Sequence, residues 1–197
     1  MGNAGSCEGP FADVALTPLV SPLVAIDKRF VRPEVTRLRL KETLFDSKNL
    51  SFKDVESKEV KFRTGPELDL VTILDANKKP IVNIATKKDI KGIYYVYRPE
   101  ESEQEYDSEL LQIYVKQGLI TKTGYLDTDL RVDFTDLTTG ERCKITMEGE
   151  WRARSIMLWL QRGHDNTRAP VGRIYRPPKV MRNGFTLEIA PNIDTAL

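Results

Sequence analysis

The first seven residues, Met1-Gly2-Asn3-Ala4-Gly5-Ser6-Cys7, carry the types and spacing for two acylations. Removal of Met1 bares the amine of Gly2, the nucleophile for an amide-linked myristoyl chain, and Ser6 completes the pattern four residues on. A side chain at position 2 would obstruct the acyltransferase, and the small residues at 3 to 6 let the terminus thread into its pocket. The Cys7 thiol can take palmitate as a thioester. Both matter, because one myristoyl chain holds a protein to a bilayer only marginally and lasting residence needs a second signal. This expectation of myristoyl at Gly2 and palmitoyl at Cys7 holds for a eukaryotic chain, since bacteria lack the transferase. Its plain alternative is a terminus that happens to be Gly, Ala and Ser.

Other reactive groups are few. His164 is the only histidine and falls in a Gly, Asp and Asn loop, where it could pair with Asp165, but no serine or cysteine nucleophile stands beside it in sequence. Cys143 sits in an alternating stretch and reads as a small buried hydrophobe. Two cysteines and one histidine are too few for a zinc site. Asp127, Asp129, Asp133 and Asp136 lack the glycine and closing glutamate of a calcium loop, so strand ends and turns explain them better. The inventory points away from an enzyme and calls for no metal or cofactor.

Binding to anionic headgroups is better supplied. Lys87, Lys88 and Lys91 cluster in TKKDIKG, Arg152 and Arg154 share a strand face in WRAR, and Arg173, Arg176, Lys179 and Arg182 follow in GRIYRPPKVMR. Guanidinium groups grip phosphate oxygens bidentately, and each basic residue near an anionic leaflet contributes about 1 kcal/mol. The alternative is solvated charge balanced by nearby acids. Trp151 and Trp159 share parity on a strand and read as barrel wall or core. The acidic run from Glu100 to Glu109 reads as wet surface.

The elements that must position these groups are strands. The chain has 197 residues, with 30 basic and 29 acidic side chains giving a net charge of +1, so no global field draws it to nucleic acid. The longest apolar run, Val14 to Ile26, is broken by Pro18 and Pro22 and is too short to span a bilayer. No secretory signal is apparent and the cysteine usage suits a reducing cytosol. Residues 1–35, with prolines at 10, 18, 22 and 33, read as an acylated arm that lies across the domain or spaces it from a membrane. Residues 36–197 read as the domain itself. Three hairpins of one design recur there: Leu50 and Phe52 alternate before a polar turn and Val60 and Phe62, Val71 and Ile73 precede Asp75 to Lys79, and Val132 and Phe134 precede Asp136 to Arg142. Each first strand ends on an aspartate whose carboxylate can accept turn amides. GIYYVYR, LLQIYVKQG, PVGRIYR and GFTLEIA add strands, so the pattern argues an antiparallel meander, mainly β. PNIDTAL reads as a helix start with Asn192 as N-cap.

The segments LFDSKNLSFKDVESKEVKFR, TILDANKKPIVNI, GEWRARSIMLW and FTLEIAPNIDTAL, in that order, resemble the LURP-one-related family of the tubby C-terminal-like superfamily, which also contains the phospholipid scramblases. The resemblance covers roughly residues 18 to 197. It implies a closed antiparallel barrel of about a dozen strands round a central apolar C-terminal helix, whose body this sequence does not contain after Leu197. A shortened record is the first explanation, with a true truncation or a helix supplied by a partner as the others. The functional expectation is a non-enzymatic, lipid-anchored module at the cytoplasmic face of the plasma membrane, binding anionic phospholipid, such as a phosphoinositide, or a protein partner. Scramblase-like lipid transport and a soluble scaffold whose barrel mouth holds a ligand are the alternatives.

Overall fold

The computed structural model describes residues 11–43, 46–65, 71–86, 91–99, 109–120, 126–150, 155–164, 167–175 and 184–197. Twelve strands follow in chain order: β1 (Thr36–Thr43), β2 (Asp46–Asp54), β3 (Val60–Thr64), β4 (Val71–Asp75), β5 (Pro80–Thr86), β6 (Ile93–Tyr97), β7 (Glu109–Ile120), β8 (Leu126–Thr135), β9 (Arg142–Glu150), β10 (Ser155–Arg162), β11 (Arg168–Tyr175) and β12 (Gly184–Ile189). Each pairs antiparallel with its sequence neighbour, and β1 pairs with β12 from Thr36↔Ile189 to Lys41↔Gly184, so the sheet closes into a barrel with no free edge.

Period-two alternation decides what faces inward. Leu38, Phe62, Val82, Val96, Leu111, Phe134, Ile145, Leu160 and Ile189 join one apolar cluster, each from a different strand. Their neighbours in the chain, such as Arg37, Lys61, Gln112 and Lys144, take the other face. The hairpin turns work as their sequences suggest. Asp54 accepts the N–H groups of Glu56 and Ser57, and Asp75 those of Asn77 and Lys79. Asp136 accepts the Thr138 N–H and the Thr139 hydroxyl. Cys143 is buried in the cluster, and that burial pushes its thiol up to about 11, so it stays a protonated, unreactive hydrophobe.

The C-terminal segment departs from its sequence reading. Residues 190–197 form no helix; Asn192 has φ of 65°, and Ile193 and Asp194 make isolated bridges to Leu23 and Val31. Asn192 is therefore not an N-cap: its side-chain amide donates to the Leu19 carbonyl. The only helical turn among the described residues is the 3-10 turn Lys28–Phe30. The helix reading failed because a residue type suited to capping is equally suited to the left-handed backbone of a turn.

The described part of the arm is stitched to the barrel throughout. Phe11 packs on Gly149, and the Arg173 guanidinium donates to the carbonyls of Phe11, Ala12 and Val14. Arg162 holds the Ser21 hydroxyl at 2.6 Å and its carbonyl at 3.2 Å. Leu23, Val24, Ala25 and Ile26 are then buried as deeply as any strand residue, with Leu23 and Ala25 at 0% exposure. The segment 23–26 and the residues 190–194 thus close one end of the barrel together.

Candidate functional site

Strand direction alternates, so the six connections β1–β2, β3–β4, β5–β6, β7–β8, β9–β10 and β11–β12 all leave the barrel at one end. The other connections, with the arm segment 23–31 and the C-terminal residues, take the opposite end. This sorting separates charge that composition shows as balanced. Connecting stretches 44–45, 65–70, 87–92, 121–125, 151–154 and 176–183 carry nine basic residues against three acidic ones. Stretches 55–59, 76–79, 98–108, 136–141 and 163–167 carry ten acidic residues against four basic ones. A chain of net charge +1 thus divides its connecting stretches, by sequence, into a mainly basic set and a mainly acidic set.

Of the acylation and lipid-contact candidates singled out from sequence, Lys91 and Arg173 are described. Lys91 is exposed at the basic end, on a turn where Gly92 takes φ of 82° and its carbonyl accepts the Val115 N–H at 2.7 Å. Arg173 is a correction. Its Nε donates to Glu188 at 2.5 Å and its Nη1 to the arm carbonyls, its side chain is only 15% exposed, and it works as a clamp inside the chain rather than as a cation free for lipid. Nothing in the spacing of GRIYRPPKVMR marks Arg173 as the residue that the arm would cover. Gly2, Cys7, Lys87, Lys88, Arg152, Arg154, Arg176, Lys179 and Arg182 lie outside the described residues. Their connectivity nevertheless groups the basic ones: the strand ends that flank all of them, and Lys91 with them, belong to the basic end. Lys122, in the β7–β8 connection, belongs to the same group and was missed, because a lone lysine stands out only once strand direction is known.

The first described residue of the arm, Phe11, lies at this same end. Gly149 lies one pair from the last β9–β10 pair, Glu150↔Ser155, and Phe11 touches it. Ser21 meets Arg162 at the far end of the same hairpin. Residues 11 to 21 thus run the length of the barrel wall from the basic to the acidic end. The seat of Phe11 depends on Gly149, whose φ is 124° and where an added Cβ would stand 2.5 Å from the Ser155 carbonyl oxygen and 3.0 Å from the Phe11 ring. Gly149→Ala should cost about 2 kcal/mol in chemical denaturation and raise protease cleavage near Phe11, and unchanged stability would refute this seat.

Beneath the arm lies a buried ion cluster. Glu188 on β12, 6% exposed, takes Arg37 Nε from β1 at 2.8 Å, Arg173 from β11, and the Tyr175 hydroxyl at 3.2 Å. Burial pushes the Glu188 carboxyl upward, but the hydrogen bonds and charges of Arg37 and Arg173 outweigh it and hold the group below the ordinary glutamate range. Trp159, on the same wall with its parity opposite to Leu158 and Leu160, lies under the Arg168 guanidinium at 5.5 Å, so it belongs to the barrel wall. At the acidic end a cavity of about 590 Å³ opens between Phe30, Arg32, Leu38 and Phe62.

Known proteins agree with this architecture. The LURP-one-related family profile matches residues 36–197. No curated protein matches the chain. Among solved structures, the X-ray structure of a protein from Arabidopsis thaliana superposes with a TM-score of 0.59 at 21% identity, covering 88% of this chain and 90% of that one. That likeness speaks for the fold alone. Twelve strands closed by the pairing of first with last, and a family profile running from the first strand to the last described residue, establish that the chain belongs to the LURP-one-related family.

Proposed function

We propose that this chain is a non-enzymatic, lipid-anchored module that rests the basic end of its barrel on anionic phospholipid at the cytoplasmic face of a membrane. Myristoyl on Gly2 and palmitoyl on Cys7 supply residence, and the clustered lysines and arginines supply orientation. One observation carries the reading: the strand ends that flank the basic connections, and Phe11, the first described residue of the arm, share one end of the barrel. Ten residues precede Phe11. Extended, such a segment spans at most about 35 Å, so an acyl chain at Gly2 and the basic end can meet one bilayer together. The electrostatic term is short-ranged and screened by salt, which makes the arrangement testable.

The experiment is vesicle co-sedimentation of protein expressed with and without an N-myristoyltransferase, using phosphatidylcholine vesicles with and without phosphatidylserine. Acylated wild type should pellet with the anionic vesicles and be released as salt rises. Gly2→Ala should abolish most of this binding. The triple change Lys87→Ala, Lys88→Ala, Lys91→Ala should weaken the anionic component by about a hundredfold, at about 1 kcal/mol per basic residue near the surface. Binding that ignores both Gly2→Ala and phosphatidylserine would sink the proposal.

A further inference from the structure

The acidic end holds a second, smaller pocket whose chemistry runs against its surroundings. Its volume is about 150 Å³, and three cationic side chains line it from three separate elements: Arg29 from the 3-10 turn, Lys79 from the β4–β5 turn, and Arg98 from the residue after β6. Among the described residues one acid lines it, Asp27, and that carboxylate is in use. Its Oδ1 accepts the Arg29 N–H at 2.9 Å and its Oδ2 holds Arg29 Nε at 3.1 Å. Neither Lys79 nor Arg98 has an ion-pair partner among the described residues.

The cations are held on rigid supports. Lys79 has its backbone N–H on Asp75 Oδ1 at 2.9 Å, and its carbonyl accepts the Asp75 N–H at 2.9 Å. Arg29 is braced against the Phe30 ring, 4.6 Å from its centroid, as well as against Asp27. Arg98 lies between the end of β6 and Pro99. Among the described residues, three cations thus face one carboxylate that is already engaged, which leaves the pocket with positive charge to offer an anion. Pro80, Pro99 and Leu110 form apolar walls beside them.

We infer that this pocket binds the phosphate group of a phosphate monoester, held by the Arg29, Lys79 and Arg98 side chains, with the ester carbon against the prolines. Guanidinium forks match phosphate oxygens, and Lys79 adds a point charge. Size narrows the ligand: pockets for drug-sized molecules run about 300–1,000 Å³, so this one admits the phosphate and its nearest carbons and leaves the remainder of a larger ester outside. The pocket lies at the end of the barrel opposite the basic connections. Its occupancy is therefore independent of whether the basic end meets a membrane.

The test titrates unacylated protein with glycerol 2-phosphate by calorimetry, and in a second arm measures pelleting with vesicles containing phosphatidylinositol phosphate. Wild type should bind glycerol 2-phosphate, Arg98→Ala should weaken it by about tenfold or more, and Lys79→Ala with Arg98→Ala together should remove it. Lys91→Ala, at the other end, should leave it unchanged. Both altered side chains are exposed, so melting temperature should hold and a folding defect is separable. Loss of vesicle pelleting in Arg98→Ala alongside loss of the soluble ester identifies a headgroup as a second source of the same phosphate. Absence of glycerol 2-phosphate binding by the folded wild type, or binding that survives the double change, overturns the inference. The vesicle result with Gly2→Ala is unaffected either way.

Discussion

Glu188→Ala should lower stability by about 3 kcal/mol, read as a fall in melting temperature of about 6–12 °C for a chain of this size. Among the described residues the carboxylate is the only anion shared by Arg37 and Arg173, and both come from strands that pair directly with its own. Removing it leaves two guanidinium groups side by side on the barrel wall and takes one acceptor from the Tyr175 hydroxyl. Breaking a buried pair by deleting one partner is far costlier than exchanging the whole pair for apolar residues. Arg37 is 38% exposed and can turn partly to water, so the lower part of the usual range applies. The arm should report the loss too, since Arg173 is aimed at the carbonyls of Phe11, Ala12 and Val14 by its bond to Glu188. Limited proteolysis should cut residues 11–20 faster in Glu188→Ala than in wild type. The pH dependence has a definite sign. The folded-state value lies below the ordinary 4.5, so the Glu188 contribution is complete above that value and drains away as pH falls through the depressed folded one. Glu188→Gln should flatten that acid limb. An unchanged acid limb together with unchanged arm proteolysis would show that the cluster holds nothing together.

The barrel was legible because its determinants are local. Each hairpin announces itself by alternation on either side of an aspartate that accepts its own turn amides, as Asp75 does for Asn77 and Lys79, and a run of such hairpins leaves little but a meander. The resemblance to a closed barrel supplied the closure; the residues did not, because the β1–β12 pairing joins Thr36 to Ile189 and no neighbouring pattern encodes a contact across that distance in sequence. The arm was the least legible part. Its prolines describe an extended chain equally well on or off a surface, and only the structure shows Leu23 to Ile26 completing the core and Arg173 turned to the arm carbonyls. The acylation pattern needs no fold to be read, which is why Gly2 and Cys7 stood out. The basic clusters needed strand direction to be read as one group, for they are scattered from Lys87 to Arg182 in sequence and share only the end at which their strands stop.

Asp194 fastens the arm to the C-terminal segment, and Asp194→Ala should cost about 4 kcal/mol. Its side chain is 1% exposed, and its two oxygens serve three backbone donors: Oδ2 takes the N–H groups of Ile26 at 2.8 Å and Asp27 at 2.9 Å, and Oδ1 that of Ala196 at 3.0 Å. Each donor left without an acceptor in a buried setting costs about 1–3 kcal/mol, and no side chain at position 194 except a carboxylate presents two oxygens to them. Asn should rescue only in part: with its oxygen toward the Ile26 and Asp27 N–H groups its amide nitrogen meets the Ala196 N–H donor against donor, and turned the other way it loses the first two. Burial pushes the Asp194 carboxyl above its usual range, and the backbone donors pull it down without prevailing. The sign is therefore opposite to that of Glu188. A carboxyl that protonates more readily folded than unfolded adds stability as pH falls through its raised folded value, and loses that gain as pH rises through it. Wild type and Asp194→Ala should thus differ least in the neutral range, and the gap should widen on acidification until both folded and unfolded carboxyls are protonated. Hydrogen exchange at Ile26 and Asp27 separates the local role from global stability. Those amides should lose more protection in Asp194→Ala than Ile145 at the core of β9, whereas equal losses at both sites would mean that Asp194 supports the barrel as a whole and is not the fastening of its arm.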